Sequence, residues 1–412
     1  MKKLFFTLAS IFIFLVIFPS CQKEEYNEWH EEKQIISKNA IITNNPDLLN
    51  ARIFLKNQPI PVVPFTGEKE NQDINIQDHK GNYRFVLKAD VAPPVFQNIV
   101  MTPTQLKISG NYVFISYKKR GDNRLGGVEI MDMSDSENPG IISQAIFPTA
   151  DISAVDYANG KLYISGTSRN YSELGFDHPA FMGVLSLNNK MEITGVDTII
   201  PIIAPMAKGI KVTEGHIFVT GGPEGYLTVF DLEYNRVNQH EIDNARSVAA
   251  CQNHLLVLAG MPGRVYGFDI QSHDPEFVYE TGGAGTPAAH SEIAVCAKYI
   301  YAALNEEGMK VLNRDGSLKQ HIPKPPTPGG HQQENHLTSS LSKNLKLIFL
   351  GNGDSGVSIG ESIEALNDSI VMHGVLEFQN PVSVSFVESR NSMVFVASPL
   401  GGMKILSITE TE

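Results

Sequence analysis

Cysteine is scarce in this 412-residue chain, and three residues, Cys21, Cys251 and Cys296, cannot make a disulfide scaffold. An excess of positive charge is also missing: 33 Lys and Arg stand against 45 Asp and Glu, a net charge of −12. A nucleic-acid partner needs the opposite balance, because affinity for phosphate comes from cations that displace its counterions. Catalytic signatures are missing as well. Ser172 has no Gly-x-Ser-x-Gly elbow around it, and Gly356-Val-Ser-Ile359 reads as a glycine-opened strand rather than a strand-to-helix turn. The glycine runs Gly282-Gly283-Ala284-Gly285 and Gly329-Gly330 do not open helices, which argues against a phosphate loop. Asp132, Asp135 and Glu137 are not followed by a calcium-loop spacing, and a turn closed by Asn138-Pro139 explains them. Hydrophobic residues make up 42% of the chain, which excludes global disorder.

The N-terminus reads as an address. Lys2 and Lys3 precede the apolar run Leu4–Phe18, whose fifteen residues fall short of the roughly 20 a membrane-spanning helix needs and suit a secretory core. The following Phe18-Pro19-Ser20-Cys21 resembles the lipobox of bacterial lipoproteins, with Phe18 and Pro19 where that family usually has Leu and a small residue. Gln22-Lys23-Glu24-Glu25 resembles the export signal of surface-exposed lipoproteins in Bacteroidota. These resemblances imply a signal peptide over 1–20, acylation of Cys21, and a membrane partner reached through that lipid. They place the protein at the outer membrane, facing the cell exterior. The plainer alternative is an ordinary signal peptide with an incidental cysteine. Residues 21–80 are polar and Asn/Glu-rich and read as a partly flexible, lipid-anchored tether. Apolar residues between Ile36 and Phe65 allow part of it to dock.

From residue 83 onward a β-rich phrase recurs seven times. It begins with Asn111-Tyr-Val-Phe-Ile-Ser116, Gly160-Lys-Leu-Tyr-Ile-Ser165 and Gly215-His-Ile-Phe-Val-Thr220. A glycine then opens a second strand, as in Gly127-Val-Glu-Ile-Met-Asp132, Gly225-Tyr-Leu-Thr-Val-Phe-Asp231 and Gly263-Arg-Val-Tyr-Gly-Phe-Asp269. From Gly127 to Gly402 there are 275 residues over six intervals, about 46 each. That period with four strands per unit predicts an all-β, seven-bladed β-propeller over 81–412. The last repeat lacks an outer strand, and Tyr83–Val91 belongs to no other repeat. It is expected to close blade seven, since an open ring would leave two unpaired sheet edges.

Gly126-Gly-Val-Glu-Ile-Met-Asp132 with Asp135-Ser-Glu-Asn-Pro139 resembles the LVIVD-repeat proteins, bacterial cell-surface β-propellers. Leu227-Thr-Val-Phe-Asp231 and Tyr266-Gly-Phe-Asp269 fit the same pattern, whereas Met309-Lys-Val-Leu-Asn313 and Met403-Lys-Ile-Leu-Ser407 lack the Asp. The resemblance implies fold and cell-surface location and little about activity, since propellers host binders and enzymes alike.

In a four-stranded blade the d–a and b–c connections share one face, and the loops of unequal length fall there. That face carries Arg120, Arg124, Arg169, Tyr171, His178, Lys208, Arg246 and Arg264, cations beside aromatics suited to an anionic group. For Lys118, Lys119, Arg120 and Arg124 a solvated hairpin tip is the plainer reading. The function expected is non-catalytic binding of an extracellular glycan, a peptide or a partner surface protein, with no cofactor. Two alternatives stand beside it. His290, His331, Glu334 and His336 form a candidate Zn or Mn set for a polysaccharide lyase or hydrolase, and the disc could be a structural subunit of an outer-membrane complex. Cys251 and Cys296 occupy matching positions in adjacent blades and are expected to stay separate, as buried thiols.

Overall fold

The computed structural model describes residues 39–65, 83–121, 123–286, 289–296, 298–325, 335–380 and 382–410. Seven antiparallel sheets radiate from one axis, each ordered a–b–c–d from the axis outward. Blade 1 consists of Thr102–Ser109, Tyr112–Lys118, Gly126–Asp132 and Gly140–Phe147, and blade 2 of Ala150–Ala158, Lys161–Ser168, Ala180–Leu187 and Ile193–Pro201. Blade 3 follows with Gly209–Val212, Ile217–Thr220, Tyr226–Phe230 and Arg236–Glu241, and blade 4 with Ala245–Cys251, His254–Ala259, Arg264–Asp269 and Pro275–Glu280. Blade 5 has Ile293–Val295, Tyr299–Ala303, Met309–Asn313 and Leu318–Ile322, and blade 6 has Ser340–Asn344, Leu347–Gly351, Val357–Ile363 and Ser369–Leu376. Blade 7 takes Phe386–Arg390, Met393–Ser398 and Gly402–Glu410 from the C-terminus and Tyr83–Val91 from the N-terminal side.

The ring thus closes where the repeat pattern places it. Met403 pairs with Val91 at one end of the closure and Glu410 with Tyr83 at the other. Gly402 permits the join: its φ is +71°, and a Cβ there would lie 2.0 Å from the Val91 carbonyl oxygen. Between blades the core is close-packed apolar side chains. Phe114, Phe147 and Phe181, for example, are all but fully buried in one cluster at the blade 1–2 interface. Each such side chain contributes about 1.5–3 kcal/mol by leaving water.

Strand a has no partner strand of its own sheet on its axial edge, and side chains from neighbouring blades bond to it. Gln105 accepts from the Val155 N–H, Asp156 from Val212, and Ser247 from Ile293, at 2.8–3.0 Å. Glu292 accepts from Leu341 at 3.0 Å and Ser340 from Val387 at 3.1 Å. The Ser385 hydroxyl closes the circle by donating to the Pro103 carbonyl at 3.3 Å. On the outside, the Asp or Asn ending strand c folds back on the c–d turn. Asp132 accepts from Ser134, Asp231 from Asn235 and Asp269 from Ser272, which is the turn role expected of these residues rather than calcium ligation.

Residues 39–65, which the sequence places within a tether, form an outer belt across the closure. Ile41–Thr43 adds a fifth strand to blade 1, Ile53–Ile60 to blade 7 and Val62–Val63 to blade 6. A short helix, Pro46–Asn50, capped by the Asn45 side chain, carries Leu49 into the blade 1 core. The belt also completes a buried charge. Glu129 in strand c of blade 1 is fully buried and is met by Arg52 of the belt, by the Tyr117 hydroxyl (2.7 Å) and by Gln144 (2.6 Å). Cys21 and the signal region lie outside the described residues.

Candidate functional site on the axis

The b–c and d–a connections share a face, as backbone bridges between them show. Gly222 pairs with Ala245, Asn305 with Thr338, and Gly353 with Val384, each joining a b–c loop to the approach of the next strand a. Side chains at the start of strand a or the end of strand b therefore gather around the mouth of the axial channel on this loop face.

Four groups meet there. Lys118 ends strand b of blade 1, Lys208 precedes strand a of blade 3, Arg246 is second in strand a of blade 4, and His290 lies ahead of blade 5. Blade 1 borders none of the other three blades, so Lys118 feels the other groups across the axis. Arg246 is 3% exposed and is held by neutral acceptors: Ser291 Oγ, Asn305 Oδ1 and the Thr286 carbonyl, each at 2.9 Å. Gly260 makes room for it, since a Cβ there would sit 2.3 Å from the Arg246 Cζ. Lys118 and Lys208 are half-buried, and among the described residues neither ammonium has a hydrogen bond or ion pair. Burial, reinforced by the charges of Lys118, Arg246 and Arg124, holds the Lys208 ammonium down to about 8. Burial and the charges of Lys208, Lys118 and Arg246 hold His290 down to about 3, so its imidazole is neutral. Its Nε2 is buried without a hydrogen-bond partner.

Of the eight loop-face residues singled out by sequence, the structure brings Arg124, Lys208 and Arg246 into this group. Arg124 stands at its edge, bonded to Asp151 at 2.6 Å. Arg120 is exposed at the hairpin tip. Arg169 lies farther out, lining with Phe96, Ile99 and Lys119 a cleft of about 570 Å³. His178 lines a separate recess of about 280 Å³ with Phe176 and Arg236, and Tyr171 opens a 3₁₀ turn over 171–174. Arg264 is neutralised by Glu280 at 3.1 Å. Lys118 and His290 were not among the eight; one read as hairpin tip and the other as a metal ligand. The signal that marks Lys118 is positional, as the last residue of an inner strand. Of the candidate metal set, His331 and Glu334 lie outside the described residues. His336 is 1% exposed with its Nδ1 hydrogen-bonded to Ser355 Oγ, and no group of three or more His, Cys, Asp or Glu among the described residues is placed to hold a metal.

Below the mouth lies a chamber of about 330 Å³ lined by strand a of every blade. On one wall Asp156 sits between Lys211 (3.0 Å) and Lys107 (3.8 Å). Glu292 and Glu388 also line it. Burial pushes the Glu388 carboxyl up to about 7, with Lys107 opposing and Asp156 adding to the shift. Burial and the neighbouring Glu388 raise Glu292 well above the carboxylate range. Cys251 and Cys296 are both free, and they are half-buried rather than buried, Cys296 facing the chamber.

The geometry defines a seven-bladed β-propeller with a cationic channel mouth. No protein-family model and no curated protein matches the sequence. Solved structures share the fold. Virginiamycin B lyase from Staphylococcus aureus, crystallised with quinupristin, superposes with a TM-score of 0.55 at 11% identity, over 79% of this chain and 99% of the lyase. Hydrazine synthase from Kuenenia stuttgartiensis gives 0.56 at 12% identity, over 77% and 98% of the two chains. The protein U3-55K gives 0.55 at 11%, over 76% and 97%. At such identities the likeness is one of fold alone, and these names agree on no single activity.

Proposed function

We propose that this protein is a non-catalytic binding module of the LVIVD-repeat type, anchored at the outer membrane through acylated Cys21, whose loop face takes an anionic group of an extracellular glycan, peptide or partner protein. One observation carries the binding role: two half-buried lysines, Lys118 and Lys208, reach the axis from separate blades beside Arg246, and among the described residues no carboxylate is paired to them. A half-buried cation costs free energy unless paired, and an arrangement that keeps several together is stable at its best with an anion bound. The net charge of −12 makes the cluster the more unusual. The lipobox-like sequence supports the anchor, and acyl chains together bind a bilayer far more firmly than one.

The test is a binding screen of the protein against neutral and anionic polysaccharides at low and physiological salt. Salt-sensitive binding to the anionic polymers, lost in a Lys118→Gln, Lys208→Gln double variant, is the expected result. Equal binding by that variant overturns the site. For the anchor, Cys21→Ala is expected to release the protein from the membrane fraction, and unchanged partitioning would remove Cys21 from that role.

A further inference from the structure

The charge balance at the mouth names the class of anion, an inference that rests on the binding role proposed above. Lys118, Lys208, Arg124 and Arg246 supply four positive charges within one another's field. The carboxylates that reach them are Asp151, bonded to Arg124, and Glu306, which lies near Arg246 and accepts from the Gly285 N–H. Four cations against two carboxylates leave two positive charges, and Arg120 at the exposed tip adds a third that solvent screens. A single carboxylate, or a sulfate ester with its one charge, leaves at least one buried cation uncompensated. A phosphomonoester carries about −1.5 to −2 at pH 7 and three acceptor oxygens.

We infer that the channel mouth binds a dianionic phosphomonoester group end-on, in preference to a carboxylate or a sulfate ester. The donors are compatible with such a group. Lys118 and Lys208 present ammonium protons that meet no acceptor among the described residues. Arg246 is fixed through Nη1 and Nη2 by Ser291, Asn305 and Thr286, and among the described residues its Nε–H has no acceptor. Being held by neutral groups, it keeps its full charge for the ligand. Lys208 is the residue expected to decide specificity, since it stands half-buried with Lys118, Arg246 and Arg124 around it and without a carboxylate among the described residues bonded to it, so a second negative charge relieves both its burial and its neighbours' repulsion.

Isothermal titration of the full chain in detergent at constant ionic strength tests this. The probes are inorganic phosphate, a sugar 6-phosphate, the same sugar as its 6-sulfate, and a uronic acid. The sugar phosphate is expected to bind at least tenfold more tightly than the sulfate or the uronate at pH 7.2. Lys208→Gln should erase that preference, whereas Lys190→Gln, an exposed charge in the c–d turn of the opposite face, should leave it intact. Phosphate affinity should rise from pH 5 to 7 as the ester's second proton leaves, with a pKa of about 6. It should fall above about pH 8 as Lys208, facing Lys118, Arg124, Arg246 and neutral His290, loses its own. Inorganic phosphate binding without the sugar phosphate would assign a free-ion site rather than an ester site and overturn the end-on assignment. Sulfate and phosphate esters binding equally, with both lost in the lysine double variant, would overturn the dianion inference and leave the anion site standing. No binding of any anionic probe or polymer would overturn both.

Discussion

Two buried charges in this molecule are handled in opposite ways. At the outer edge of blade 1, Glu129 is fully buried and met by Arg52, Tyr117 and Gln144, so the chain compensates its own charge. At the axis, Lys208 is half-buried beside three other cations and nothing in the described residues pairs with it. The first pattern is that of a fold holding itself together, and the second fits the anion site proposed above. The difference also assigns the N-terminal belt to the fold, since without Arg52 the charge of Glu129 would be buried beside only neutral donors.

The largest expected effect would break the rim. Arg52→Ala should destabilise the protein by about 3–5 kcal/mol in denaturant unfolding, because it strands a buried carboxylate. An Arg52→Met, Glu129→Leu pair should recover most of that loss, and failure to do so would mean that the belt packs by contacts other than this pair. The axis should respond with the opposite sign. Lys208→Met removes a cation whose folded value, about 8, lies below the unfolded one, so at pH 7 the charged form strains the fold. The variant is expected to be more stable by up to about 3 kcal/mol while losing anion binding, and its advantage should shrink from pH 8 to 10.5 as the wild-type lysine loses its proton. Calorimetric melting across that range reads both features.

Glu388 sharpens the contrast in the chamber below. Its carboxyl is raised to about 7 from 4.5, so the folded state binds the extra proton between those values and wild-type stability falls as pH rises through them. Glu388→Gln should therefore be near neutral at pH 4 and stabilising by about 1–2 kcal/mol at pH 8 after solvent screening. Equal melting temperatures at pH 8 would show the carboxylate to be well solvated. The smallest effect is expected from Gly260→Ala, whose methyl crowds the Arg246 guanidinium. It should weaken anion binding by about tenfold, equivalent to 1.4 kcal/mol, with little change in unfolding.

Strands b and c were legible because each repeats a compact apolar phrase, and the glycine opening strand c marks the register. Strand d was harder to read for a structural reason. In all seven blades the c–d pairing contains a register shift, as between Ile141 and Ser143 or between Val229 and Phe230, and a bulge breaks the alternation a strand is recognised by. The belt escaped for a related reason. Ile53–Ile60 buries only its last residue, so it carries no alternating pattern, and its partners lie elsewhere in the chain. At the site, residue type was a poor guide. Arg124 and Arg264 look alike in sequence to Arg246, yet the first two are paired with Asp151 and Glu280 while the third is buried among neutral groups.

The sequence by itself determined the number of blades, their register and the strand that closes the ring, because local β phrases at a fixed period dictate these and closure follows from the cost of open edges. Only the tertiary structure decided which charges are neutralised and which stand alone. That outcome depends on groups far apart in sequence, 77 residues for Arg52 and Glu129, meeting at one axis or one rim, and on how much water is left between them.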